Sequence, residues 1–109
     1  MDRIELLKRY LQEDPDDSFS WYALALEYIR LNDLPTAQKI LSDLTKRDPD
    51  YLPTYYQLAR VCEQSSQTEL AIKVYEKGKE VARNAKNQHT FNELETALRL
   101  LKEEDEEEE

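Results

Sequence analysis

The stretch Ser20–Leu41, SWYALALEYIRLNDLPTAQKIL, returns 34 residues later as Thr54–Tyr75, TYYQLARVCEQSSQTELAIKVY. Laid over each other without a gap, the two place Trp21 on Tyr55, Leu24 on Leu58, Ala25 on Ala59, Tyr28 on Cys62, Ala37 on Ala71 and Leu41 on Tyr75. Pro15 and Pro49 keep the same offset. Aromatic falls on aromatic and small on small, the mark of one supersecondary unit stacked on its copy.

Within the unit the periodicity is helical. Trp21, Leu24, Ala25 and Tyr28 stand at i, i+3, i+4 and i+7, one apolar face of a helix. Ala25 and Ala59 are small where two helices must cross closely, and Ala37 and Ala71 do the same from the following helix. Asp17 or Ser18 can cap the first helix, and Asn32-Asp33 can end it and cap the next. Ser66 with Glu69 has the spacing of a capping box, and so has Thr90 with Glu93. Asp48-Pro49 breaks the chain between the copies, since the residue before proline avoids helical geometry.

These residues resemble the tetratricopeptide repeat family, a helix–turn–helix unit of ~34 residues. Repeat one covers 18–51, with Trp21, Leu24, Ala25, Tyr28, Ala37, Leu41 and Asp48-Pro49; repeat two covers 52–85, with Tyr55, Leu58, Ala59, Ala71, Tyr75 and Gly78. Leu44, Cys62 and Arg83 depart from the family pattern, implying a wider gap near Leu44 and a longer helix through Arg83. A cap helix over 3–13 and a capping helix over 90–103 flank the repeats, the latter carrying Phe91, Leu94, Leu98 and Leu101 on one face. The expected fold is all-α, an antiparallel helix-hairpin solenoid of about six helices forming a single domain over 1–103.

The formal net charge of −9 sits mostly at the end. Residues 103–109, EEDEEEE, contribute −7 and leave −2 for the rest, so the body is nearly balanced. Like charges at i, i+4 and anions at a helix C-terminus predict disorder over 104–109, with solubility as the expected role of this acidic tail. The charge argues against nucleic acid or an anionic membrane as partner. No apolar run reaches the ~20 residues of a membrane span, and the charged N-terminus has no signal-peptide core. The reading is cytoplasmic.

Little here points to chemistry. Cys62 lies on a buried helix face and reads as a small core hydrophobe. His89 reads as a solvated residue just before a helix. With one cysteine and one histidine, no cofactor or metal is expected. Asp14, Asp16 and Asp17 lack the glycine and terminal glutamate of a calcium loop and read as helix caps. Gly78, the only glycine, cannot build a phosphate loop. The chain is expected not to be an enzyme.

The resemblance implies a concave groove lined by the first helix of each repeat, holding a peptide or helix of a partner protein. Carried over, its residues are Phe19, Tyr22, Leu26, Ile29 and Arg30 in repeat one, and Tyr56, Gln57, Arg60 and Gln64 in repeat two. An exposed apolar patch of this kind marks a contact surface. Arg30 and Arg60, read as isolated charges, offer to pair with an acidic peptide. Some members clamp a C-terminal carboxylate with a lysine and an asparagine of the first repeat; here Tyr22 and Leu26 occupy those places, and Gln57 replaces a second asparagine. The competing expectation is that the same groove pairs with itself, making a homodimer.

Overall fold

The computed structural model describes residues 2–108. They form six helices and, among the described residues, no strand: α1 (Arg3–Glu13), α2 (Ser18–Arg30), α3 (Leu34–Arg47), α4 (Pro53–Gln64), α5 (Thr68–Asn84) and α6 (Gln88–Glu108). The chain divides into two compact units, Met1–Thr54 and Tyr55–Glu109.

In the first unit, Asp2 caps α1 by accepting the Glu5 N–H at 2.8 Å. Leu7 and Leu11 of α1 form a buried cluster with Ala23 and Leu24 of α2, flanked by the half-buried Ile4, Trp21, Tyr28 and Ile40. α2 packs against α3 as well as α1. Ala25 and Ala37 are fully buried, as the expected close approach requires, and Leu41 and Leu44 are buried beside them in the sequence of α3. The Ser18 hydroxyl donates to Asp48 Oδ2 at 2.6 Å, tying the start of α2 to the C-cap of α3. Asp17 is the N-cap residue of α2, its carboxylate accepting from the Ser20 hydroxyl at 2.5 Å.

In the second unit, Leu58, Ala59, Val61 and Cys62 of α4, Ala71, Tyr75, Val81 and Ala82 of α5, and Leu94, Leu98 and Leu101 of α6 are buried. Gly78 fits a tight crossing. A Cβ built there would lie 2.7 Å from Tyr55 Cβ and 3.0 Å from Leu94 Cδ1.

Three turns share one geometry. After α2, α4 and α5 the chain places Asn32, Ser66 and Lys86 at φ of 61°, 60° and 57°. Each time the next N–H reaches back five residues: Asp33 to Tyr28, Gln67 to Cys62 and Asn87 to Ala82, at 2.8, 2.8 and 2.9 Å. This is the Schellman closure, usually made with glycine in the left-handed position. Asp33 then caps α3 by accepting the Thr36 N–H at 3.3 Å, as the Asn32-Asp33 reading expects.

That geometry corrects two expectations. Ser66 does not cap α5; it is the left-handed residue ending α4, and Gln67 is the N-cap. Thr90 does not open α6 either. The helix starts at Gln88, with Asn87 Oδ1 accepting the Thr90 N–H at 3.0 Å, so His89 lies inside the first turn. Both boxes have the right spacing, but the reversal between helices sets where the new helix can begin.

The end of α6 also differs from expectation. Helix continues through Glu108, where disorder from 104 is predicted above; Glu109 lies outside the described residues. Leu94, Leu98 and Leu101 anchor the stem, while Lys102 pairs with Glu76 at 3.8 Å and Arg99 with Glu103 at 3.7 Å. Extending a helix that is already formed skips the costly nucleation step and adds a hydrogen bond per residue, against which stands a repulsion of ~0.2–0.5 kcal/mol per exposed like-charge pair.

Candidate functional site

The residues assigned to the groove fall into two sets, one on each unit. On α2, Phe19, Tyr22, Leu26 and Ile29 stand at i, i+3, i+7 and i+10, one stripe of the helix. Phe19 is 60% exposed, and Tyr22, Leu26 and Ile29 are half-buried. Tyr22 meets Tyr51 edge-on, with centroids 5.9 Å apart. Burial, then Tyr22, Asp17 and Asp48, push the Tyr51 phenol above its ordinary pKa.

Arg30 is exposed but not isolated, which corrects the expectation. Its Nη2 lies 3.2 Å from Glu27 Oε1, and Glu27 also meets Arg3 Nε at 3.4 Å. A similar correction applies to Arg60, whose Nη1 lies 3.5 Å from Glu63 Oε1. Both arginines carry a glutamate three residues away on their own helix.

On α4, Tyr56 is 37% exposed, Gln57 half-buried, and Arg60 and Gln64 exposed. Tyr56 packs edge-on against Tyr75 at 6.4 Å. Tyr75 is fully buried and donates a hydrogen bond from its hydroxyl to Glu63 Oε2. Burial, then that bond and the Glu63 charge, raise the Tyr75 phenol far above its ordinary pKa. Burial opposes the charge of Arg60, but Glu63, Tyr75 and Tyr56 outweigh it and hold the guanidinium above its ordinary value.

An open cleft of about 490 Å³ lies between α4 and α6. Tyr56, Arg60 and Glu63 line it from α4; Thr96, Ala97, Leu100 and Leu101 line it from α6, with His89, Asn92, Glu93 and Glu104 completing the wall. Gln57 and Gln64 are not part of that wall. The residues of α6 were not among the expected site residues. Their signal was Leu100, which sits off the Leu94–Leu98–Leu101 stripe and is 50% exposed.

Trp21 shapes a second concavity, of about 270 Å³, with Ile40, Leu44 and Arg47 in the first unit. Its indole N–H donates to the Pro15 carbonyl at 2.7 Å, and the Arg47 guanidinium lies 4.4 Å from the ring centroid. Cys62 is fully buried, and desolvation raises its thiol pKa. Among the described residues no group of three or more His, Cys, Asp and Glu converges as metal ligands would, and no helix is long and apolar enough to cross a membrane.

A tetratricopeptide repeat family model matches residues 4–60, and a second model of that family matches 52–84. No curated protein matches the chain. Among solved structures, a tetratricopeptide repeat domain protein from Salinibacter ruber is 38% identical, with TM-score 0.77 over 81% of this chain and 89% of that one. The TPR2B domain of yeast Sti1, solved in its pHsp70 complex, superposes at TM-score 0.85 with 13% identity, covering 93% of this chain and 81% of that one. SycD, the type III secretion translocator chaperone of Yersinia enterocolitica, gives TM-score 0.85 at 14% identity, over 94% and 72% of the two chains. The last two share the fold alone. With repeated alanines buried in both units, Gly78 at a tight crossing, and family models spanning both copies, the chain belongs to the tetratricopeptide repeat family.

Proposed function

We propose that this chain is a non-catalytic, cytoplasmic protein-interaction module that takes a peptide or helix of a partner on the open faces of α2 and α4. The observation that carries the reading is the apolar surface left facing water. Phe19 is 60% exposed at the head of the Tyr22–Leu26–Ile29 stripe, and Tyr56 is 37% exposed over the α4/α6 cleft. Such patches on soluble proteins mark contacts, and tyrosine and arginine are frequent hot-spot residues. The yeast domain's partner is its own; at 13% identity it supports the fold and leaves the ligand of this chain open.

The test is a peptide array probed with the full chain and with Tyr22→Glu and Tyr56→Glu, each checked for helicity. Ligands that lose binding with either variant support the reading. Ligands indifferent to both place recognition elsewhere and overturn it. Sedimentation at two concentrations addresses the second reading, a homodimer through the same face: Phe19→Glu converting a dimer to a monomer would establish self-association instead.

A further inference from the structure

We propose that the α4/α6 cleft recognises a basic peptide segment, one apolar side chain flanked by lysine or arginine. The proposal rests on the protein-interaction reading above and names the partner's chemistry.

The argument is one of unmatched charge around an apolar floor. Leu100, Ala97 and the ring of Tyr56 supply the floor, with Leu100 50% and Tyr56 37% exposed. The wall carries three carboxylates, Glu63, Glu93 and Glu104, against one permanent cation, Arg60. Arg60 is held by Glu63, whose second oxygen accepts from Tyr75. His89 lies 3.4 Å from Glu93 and offsets it only when protonated. Among the described residues no cation lies within pairing distance of Glu104, and exposed acidic residues follow it along α6.

The opposite side of α6 behaves differently. There, among the lysines and arginines lining the cleft against α5, four meet the chain's own carboxylates: Lys79 with Glu95 at 3.0 Å, Lys77 with Glu80 at 3.5 Å, Arg99 with Glu103 at 3.7 Å, and Lys102 with Glu76 at 3.8 Å. Cations and carboxylates thus stand nearly in balance on that side of α6, while carboxylates outnumber permanent cations on the other. A cation from outside meets the deficit, while its apolar neighbour removes Leu100 and Tyr56 from water. The acidic end of a second copy would meet like charge, so self-association through this cleft is disfavoured.

The experiment titrates the full chain with three capped synthetic peptides while following amide chemical shifts. One has a central leucine flanked by lysines, one carries glutamates in place of the lysines, and one keeps the lysines around an alanine. The lysine–leucine peptide is expected to move the amides of Tyr56, Thr96, Ala97 and Leu100. The glutamate twin is expected to bind at least about tenfold more weakly, as two or three partly exposed ion pairs imply. The alanine twin is expected to lose the Leu100 shifts. Glu93→Lys with Glu104→Lys, both at exposed positions, removes binding without loss of helicity.

Equal or tighter binding of the glutamate peptide overturns the proposal. So do shifts confined to 103–108 that leucine and alanine peptides produce alike, since they show charge attraction without the cleft. If no basic peptide binds but array ligands are lost with Tyr22→Glu, this inference falls and the interaction reading stands. If neither set binds, both fall.

Discussion

Replacing Gly78 with alanine tests the packing of the second unit, because two effects of known sign oppose each other there. Gly78 lies inside α5, where alanine favours helix by about 1 kcal/mol. Helix propensity alone therefore makes Gly78→Ala stabilising. The new methyl carbon, however, would sit 2.7 Å from Tyr55 Cβ and 3.2 Å from Tyr55 Cγ. Carbon pairs rest at ~3.5–4.0 Å, so the closest approach is short by at least about 0.8 Å. Leu94 Cδ1, at 3.0 Å, can rotate away; Tyr55 Cβ cannot, being bonded directly to the backbone of α4. Relief requires α4 and α5 to separate, and overpacking of this kind costs roughly 1–3 kcal/mol. The expected net is a loss of about 1 kcal/mol, or a Tm lowered by roughly 4–8 °C for a two-state transition. Urea unfolding followed by far-UV circular dichroism measures it. Glu76→Ala against Glu76→Gly, on the exposed side of α5, supplies the propensity term separately. If Gly78→Ala raises the midpoint by the full difference seen at position 76, the close crossing with Tyr55 is wrong.

Ser66→Gly and Lys86→Gly are each expected to stabilise by about 0.5 kcal/mol, because side chains at φ of 60° and 57° carry strain that glycine lacks, partly offset by its greater unfolded-state entropy; destabilisation in the same urea assay would refute the left-handed turns. Thr54 is fully buried and its hydroxyl has no hydrogen-bond partner among the described residues, so Thr54→Val is expected to gain about 1 kcal/mol, and a loss would show the hydroxyl to be bonded. Cys62, Tyr51 and Tyr75 all have folded pKa values raised above their ordinary values of 9.0, 10.0 and 10.0. The unfolded chain therefore releases these protons first, and stability present below about pH 9 is lost as pH rises through that value and beyond 10. Urea midpoints across alkaline pH should fall accordingly, and Tyr75→Phe should flatten the upper part of the decline.

The 34-residue period was enough to place the helix pairs and to name the alanines that end fully buried, because a small residue at a helix crossing is a local demand that the sequence must meet at every copy. Cys62, too, was legible as a core residue from its place on the α4 stripe. Even the pairing of Arg30 with Glu27 and of Arg60 with Glu63 stood in the sequence as i, i+3 spacing, though the groove reading treated both arginines as free.

What local spacing could not decide was anything set by how neighbouring helices meet. Ser66–Glu69 and Thr90–Glu93 satisfy the capping-box pattern, yet the reversal needs a left-handed residue at 66 and starts α6 before Thr90. Local repulsion forecasts a frayed end after 103, whereas a helix already anchored through Leu94, Leu98 and Leu101 carries the run on to Glu108. The Tyr75–Glu63 bond joins residues on two helices, and the α4/α6 cleft brings Tyr56 beside Leu100, 44 positions further along the chain. Helical periodicity tells each residue which side of its own helix it occupies; only packing tells it which other helix lies opposite.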